Sequence, residues 1–327
     1  MTNRRIETDT IVMNVVVEGR GPAVLLCHGF PETSYAWRHQ VKDLAKAGFT
    51  AIAPDLRGYG GTDQPVAVEE YTVMHIVGDM IALLDALKLQ SALIVGTDWG
   101  STIAWQAAQM RPDRFVGVTA LGVPIMARPP APPTSIFPQS DEALFYTIYF
   151  QEPGVAEAEF ERDTRRTLRK LLFAASGDAG LRGPGHNTPN PFGMVSRHGG
   201  MLNALPEPPT LPAWLTEADL TVFTTAFLDS GFRGGLNYYR NLDRNWQLQE
   251  SLSGKKVEVP ALFIAGERDP GLQMPRMSEI IRDMPTLAPQ VSNPLTIKGG
   301  GHWLTQEKPD QVSAALIDFA KGIFPAA

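Results

Sequence analysis

Val95-Gly96-Thr97-Asp98-Trp99-Gly100-Ser101 is the stretch on which the fold turns. The bare apolar run at 92–95 feeds it. After it comes a small-residue segment with Ile103, Ala104, Ala107 and Ala108, which predicts a helix over about 99–110. Glycine two before and two after a polar residue, where a strand meets a helix, is the pattern of a nucleophile elbow. The spacing has a steric reason. The central residue sits on a cramped turn, so Gly96 and Gly100 let backbone pass close by, and Ser101 keeps the next position small. Asp98 would also serve as a plain helix cap, but a cap requires neither flanking glycines nor a buried strand. A carboxylate of reference pKa ~3.9 is ionised at pH 7 and needs no base to become a nucleophile. It suits displacement at a saturated carbon. That leaves an ester on the protein, which water opens with the help of a base, an orienting acid and an oxyanion hole.

The flanking sequence supplies the sheet that such an elbow requires. Residues 11–17 are rich in β-branched side chains, and 23–27, 50–54 and 115–121 are short apolar runs. Residues 73–87 place Val73, Ile76, Val77, Met80, Ile81, Leu84 and Leu87 at helical spacing. Strands without alternation, separated by helices, predict an α/β fold whose mostly parallel sheet is flanked by helices on both faces. The pattern breaks at 128–138, RPPAPPTSIFP, whose five prolines exclude a core helix or central strand. From about 140 to 246 the chain reads as helical, with loops at 183–191 and 205–212 and no strand expected. Strand–loop–helix grammar resumes at 261–265 and 295–297, and the closing helix has Pro309 near its start. The expected organisation is a core in two parts, residues 1–127 and 247–327, with an inserted helical cap at 128–246. The insertion lies over the strand ends, where open α/β sheets bind ligands.

Composition narrows the function. Of 327 residues, 29 are Lys or Arg and 35 are Asp or Glu, a formal charge of −6, which argues against nucleic-acid or anionic-membrane partners. Cys27 is the only cysteine, so an internal disulfide framework is excluded. No apolar run reaches the ~18–20 residues of a membrane span. The stretch MTNRRIETDT lacks the apolar region of a signal peptide, so a cytoplasmic setting is expected. The histidines at 28, 39, 75, 186, 198 and 302 have no metal-ligand spacing, and G-x-G-x-x-G is lacking, so neither a metal nor a dinucleotide cofactor is expected.

The second half of the chemistry has candidates. His302 follows Lys298-Gly299-Gly300-Gly301 on a flexible loop and reads as the general base. Asp269, in Gly266-Glu267-Arg268-Asp269-Pro270, reads as the orienting acid, with Glu267 its competitor. The order nucleophile, acid, histidine is the one expected on this sheet. The N–H groups of Phe30, in His28-Gly29-Phe30-Pro31-Glu32, and of Trp99 read as the oxyanion hole. The His28 side chain itself reads as structural.

With these residues in place, the chain resembles the α/β-hydrolase superfamily and, within it, the soluble epoxide hydrolases. The resemblance spans about residues 10–320. It rests on HGFPE (28–32), DLRGYGGTD (55–63), VGTDWG (95–100), GERD (266–269) and GGGHW (299–303). Two insertion segments add to it, Tyr149-Phe150-Gln151-Glu152-Pro153-Gly154 and the run from Gly231 to Asn241. The resemblance implies an α/β-hydrolase fold with a cap whose Tyr149 and Tyr239 hold the epoxide oxygen, Tyr238 being the neighbour easily mistaken for Tyr239. It implies conversion of an epoxide and water to a vicinal diol through an Asp98 ester, with no cofactor. Phe30, Trp99, Ile125, Met126, Phe150 and Leu304 are the expected substrate-lining residues. Thr97 stands where histidine is common. A haloalkane or haloacid dehalogenase of the same fold is the nearest alternative, although Phe30 offers no side-chain donor to a halide. A non-catalytic binding protein on this scaffold is a further one, disfavoured by the complete Asp98, Asp269 and His302 set. Oligomeric state stays open, a homodimer included.

Overall fold

The computed structural model describes residues 3–182 and 185–325. Gly183 and Pro184 of the expected loop, and residues 1, 2, 326 and 327 at the ends of the expected core segments, lie outside the described residues. Ten strands occur among them: β1 (Asn3–Glu7), β2 (Val12–Gly19), β3 (Ala23–Cys27), β4 (Thr50–Pro54), β5 (Ala92–Thr97), β6 (Phe115–Leu121), β7 (Ala143–Phe145), β8 (Met194–Ser196), β9 (Ala261–Gly266) and β10 (Leu295–Ile297). Eight form one sheet in the order β1-β2-β4-β3-β5-β6-β9-β10. β1 and β2, and β2 and β4, pair antiparallel, and every pair from β4 to β10 is parallel. Each of β3, β5 and β9 is buried along its whole length. This explains why they read as bare apolar runs: both faces are covered, so there is no wet side to call for polar residues.

On one face lie α2 (Val73–Ala86) and α3 (Trp99–Met110). The Thr72 hydroxyl caps α2 by accepting the His75 N–H at 3.3 Å, and Val73, Ile76, Val77, Met80, Leu83 and Leu84 form its buried stripe. On the other face α1 (Arg38–Lys46) packs on the closing helix Pro309–Ile323, with Val41, Leu44, Val312 and Leu316 in their shared core. The proline stands in the first turn of that helix, where a missing N–H costs nothing.

Between β6 and β9 the chain leaves the sheet. The helices Thr164–Ala175, Glu217–Ser230 and Arg233–Arg240 dominate this insertion. The expectation of a strandless insertion is corrected by the antiparallel pair β7–β8. Three residues per strand are too few for a periodicity to register. β1 was also unexpected. Its side chains are mostly exposed and it is held by backbone pairing to β2, so its sequence, NRRIE, carries no apolar signal.

Candidate active site

Backbone crowding positions Asp98. β5 ends at Thr97, α3 begins at Trp99, and Asp98 makes the turn alone at φ +53°, ψ −120°. Holding an L-residue in so sparsely populated a region costs of order 1–3 kcal/mol. The glycines follow from the same crowding. A Cβ at Gly96 would lie 1.9 Å from the Gly100 carbonyl oxygen, one at Gly100 would lie 2.0 Å from that of Cys27, and one at Gly29 would lie 2.3 Å from the Asp98 Cβ. Ser101 Oγ lies 2.8 Å from the Gly96 oxygen and accepts the Leu121 N–H at 3.0 Å, joining α3 to β5 and β6.

Asp98 Oδ1 accepts the Phe30 N–H at 2.8 Å, so the expected oxyanion donor already grips the carboxylate. Trp99 contributes the first N–H of α3, one of the donors that a helix start leaves without an intrahelical partner. Asp98 Oδ2 lies 3.4 Å from His302 Nε2. On the far side of the ring, Nδ1 lies 3.1 and 3.0 Å from the two oxygens of fully buried Asp269. Glu267, the competing acid, instead accepts the Gly299 N–H at 2.9 Å and is exposed. Burial alone would pull the His302 pKa down. The Asp269 charge and hydrogen bond, with those of Asp98, outweigh it and hold the imidazole well above its ordinary value. The His28 ring is structural: Nδ1 meets the Gly29 oxygen at 2.9 Å and Nε2 accepts the Leu56 N–H at 3.0 Å.

The insertion brings two tyrosines toward this carboxylate, and one of them differs from the expected pair. Tyr239 packs edge-on against Trp99 and Phe30, with ring centroids 5.1 and 5.8 Å apart. Burial, then the Asp98 charge, pushes its hydroxyl pKa well above the usual value. Its neighbour Tyr238 donates to the Arg57 carbonyl at 2.9 Å and anchors the helix instead. Gly234 and Gly235 permit the approach, since a Cβ at Gly235 would lie 2.6 Å from Phe30 Cδ2. The expectation for Tyr149 is corrected. Its hydroxyl donates to Glu159 Oε2 at 2.7 Å, and the charge it feels is that of Glu159. Tyr146, at the other end of the one-turn helix Tyr146–Tyr149, is the one that burial and then Asp98 and Asp269 perturb upward. Tyr146 also lines the apolar cavity beside the site, together with Phe30, Phe150, Phe192, Tyr239 and Trp303.

Of the expected lining residues, Phe30 and Phe150 face that cavity, and Trp99 and Ile125 are buried in the surrounding core. Two are corrected. Met126 is 51% exposed on the surface. Leu304 is fully buried in the opposite core with Val312 and Leu316, because the chain turns under the sheet directly after His302 and leaves Trp303 to face the cavity. Sequence reasoning missed Glu32. It is fully buried, its Oε1 accepts Gln306 Nε2–H at 2.7 Å, and its Oε2 has no partner among the described residues. Burial pushes its carboxyl up to about 8, with His302 opposing and Asp98 reinforcing the shift. The signal was the one glutamate inside the turn HGFPE, and a sequence reads such a charge as solvated.

Among the described residues no group of three or more His, Cys, Asp or Glu side chains is placed to hold a metal ion, and no helix is long and apolar enough to cross a membrane. The family model of the alpha/beta hydrolase fold matches residues 22–309. Epoxide hydrolase A of Mycobacterium tuberculosis (strain ATCC 25618 / H37Rv) is 42% identical over 98% of both chains. Epoxide hydrolase 2 of Siraitia grosvenorii is 40% identical over 97% of both. Among solved structures, an epoxide hydrolase from an endophytic Streptomyces superposes with a TM-score of 0.91 at 39% identity, covering 98% of this chain and 96% of that one. Epoxide hydrolase A of Mycobacterium thermoresistibile does so with a TM-score of 0.88 at 38% identity, over 98% of both. Sheet order, elbow, charged pair and relatives agree, and the chain belongs to the epoxide hydrolases of the α/β-hydrolase superfamily.

Proposed function

We propose that this enzyme opens an epoxide to a vicinal diol through an alkyl ester on Asp98. The observation that carries the reading is the placement of an elbow carboxylate beside the buried Tyr239 and the partly buried Tyr146 of the cap, with one carboxylate oxygen held by the Phe30 N–H and the other beside His302. In the first step the free carboxylate oxygen attacks an oxirane carbon from the side opposite its C–O bond. The departing oxygen is an alkoxide and needs a donor. Tyr239 and Tyr146 keep their protons at neutral pH because burial and the neighbouring carboxylates disfavour their anions, so both can donate. A halide would need no proton, which favours oxygen chemistry over the dehalogenase reading.

Forming the ester cancels the Asp98 charge. Two of the influences that hold the His302 pKa up vanish with it, and the ring moves toward the neutral form a base requires. Asp269 keeps Nδ1 protonated and directs Nε2 at water, which attacks the ester carbonyl. The Phe30 and Trp99 N–H groups hold the developing oxyanion. The diol leaves and Asp98 is restored. The setting that suits a single buried thiol at Cys27 is a reducing one such as the cytoplasm.

The test is intact-protein mass spectrometry of His302→Gln exposed to styrene oxide. The expected result is a stable adduct at Asp98 with the mass of the whole epoxide. An adduct formed only from haloalkanes, lighter by the halide, would replace the reading with dehalogenation.

A further inference from the structure

His302 sits at the end of Gly299-Gly300-Gly301, a run with no side chains to fix it, yet a general base must be held to within ~0.5 Å of its working position. Asp269 orients the ring but does not place the backbone that carries it. Glu307 does. Its Oε2 accepts the Gly301 N–H at 2.9 Å and its Oε1 accepts the Trp303 N–H at 3.0 Å, so one carboxylate grips the peptide groups on both sides of His302. The same Oε2 accepts the Gly177 N–H at 2.9 Å, and Gly177 belongs to the insertion, just past the helix Thr164–Ala175.

The contact between the two segments is tight throughout. The His302 N–H donates to the Ala175 carbonyl at 3.0 Å, and the Trp303 indole donates to that of Leu172 at 2.7 Å. Arg268 Nη1 donates to the Gly177 carbonyl at 3.1 Å. A Cβ at Gly301 would lie 2.2 Å from the Gly177 nitrogen, so the glycine is what allows the cap backbone this close. Burial pushes the Glu307 carboxyl up to about 7, while the Gly177, Gly301 and Trp303 N–H groups oppose the shift. In its ionised form it collects three charge-assisted bonds, each roughly twice as strong as a neutral one.

We propose that Glu307 is a positioning residue for the hydrolytic half of the reaction, registering the His302 ring by clasping the N–H groups on either side of it and tying them to the cap at Gly177. The inference rests on the two-step reading above. Ester formation is carried by Asp98 and the tyrosines and does not need His302 as a base, whereas ester breakdown does. Glu307 therefore acts on the second step and spares the first.

The experiment is a rapid-quench single turnover with styrene oxide, followed by intact-protein mass spectrometry, on the wild type, Glu307→Gln and Glu307→Asp. Glutamine keeps the size but turns an N–H toward the donors. The expected result is an Asp98 ester that forms within threefold of the wild-type rate and breaks down at least tenfold more slowly, with aspartate faster than glutamine in breakdown. In the His302→Gln background, adding Glu307→Gln should change residual breakdown less than twofold, because the group it positions is gone. Equal slowing of both steps, or an unchanged ester lifetime, overturns the role of Glu307 while leaving the two-step reading intact. If Glu307→Gln fails to fold, the same two criteria apply to Glu307→Asp. If no ester is trapped in any of these proteins, His302→Gln included, the two-step reading falls and this inference falls with it.

Discussion

The core and the cap meet at one carboxylate and hold their share of the site by different means. In the core, backbone crowding decides. Around Asp98 the carbonyls of Cys27 and Gly100 stand where any added Cβ would collide, and the turn is forced to φ +53°. In the cap, ring packing and single hydrogen bonds decide. Tyr239 leans on Trp99 and Phe30, and Tyr146 and Tyr149 share one turn of helix, where the Tyr149 hydroxyl is committed to Glu159 and Tyr146 lines the cavity. A site fixed by crowding tolerates no added atom, whereas one fixed by packing can trade residues one turn away. On the proposed mechanism, the nucleophile is therefore the rigid half of the site and the proton-donating half is the adjustable one.

Asp98→Gly tests the rigid half and carries the largest effect. Turnover should fall by at least ~10⁴-fold, the scale of losing a nucleophile. Stability should move the other way, up by ~1 kcal/mol or a few degrees in Tm, because glycine adopts this backbone without strain. A variant both inactive and less stable would show that the side-chain bonds to Phe30 and His302, not crowding, hold the turn.

Tyr239→Phe and Tyr146→Phe test the adjustable half. Each removes one donor from the departing oxygen, so each should slow ester formation by ~10²–10³-fold in single turnover, with Tm little changed. A normal rate in Tyr146→Phe with a collapsed rate in Tyr149→Phe would return the role to Tyr149.

The same division explains what was legible in the sequence. The elbow was readable because crowding leaves glycine no substitute, and β3, β5 and β6 were readable because double-sided burial keeps charged residues out of them and leaves Thr97 and Thr119 as their polar members. Asp269 was separable from Glu267 only in part, since both lie in one loop and the choice depends on which side chain turns inward. Tyr146 and Tyr149 were not separable. They stand three residues apart on one turn, and the tilt of that turn, with Glu159 waiting for one hydroxyl, is set by contacts from residues far along the chain. Leu304 misled because the residue after a catalytic loop is expected to stay near the site, while here the chain dives beneath the sheet. Glu32 and Glu307 were invisible for a further reason: a carboxylate looks solvated in a sequence until its partners are known.

Glu32 sharpens the comparison through pH. Its carboxyl is raised by burial from 4.5 to about 8. Below about 4.5 both folded and unfolded chains hold the proton. As pH rises toward 8 the unfolded chain releases it while the folded chain keeps it, so this group's contribution to stability declines across that window and is lost above it. Glu32→Gln should remove up to ~1.4 kcal/mol per pH unit from the decline, measured by denaturant unfolding at pH 5, 6, 7 and 8. An identical slope in the variant would mean that Glu32 is ionised in the folded core.

The smallest effect belongs to Tyr149→Phe, and it isolates the cap. Glu159 loses one donor but keeps the N–H groups of Met201 at 3.0 Å and Leu202 at 2.9 Å. The expected cost is ~1 kcal/mol, the net worth of one hydrogen bond. It should appear as faster amide exchange at Met201 and Leu202, while β3 and β5 exchange as before. Ester formation should stay within threefold of wild type, because the lost hydroxyl points at Glu159 rather than at Asp98. Faster exchange spreading into β5 would mean that cap and core unfold as one unit, and the contrast between a crowded half and a packed half would then describe geometry without describing stability.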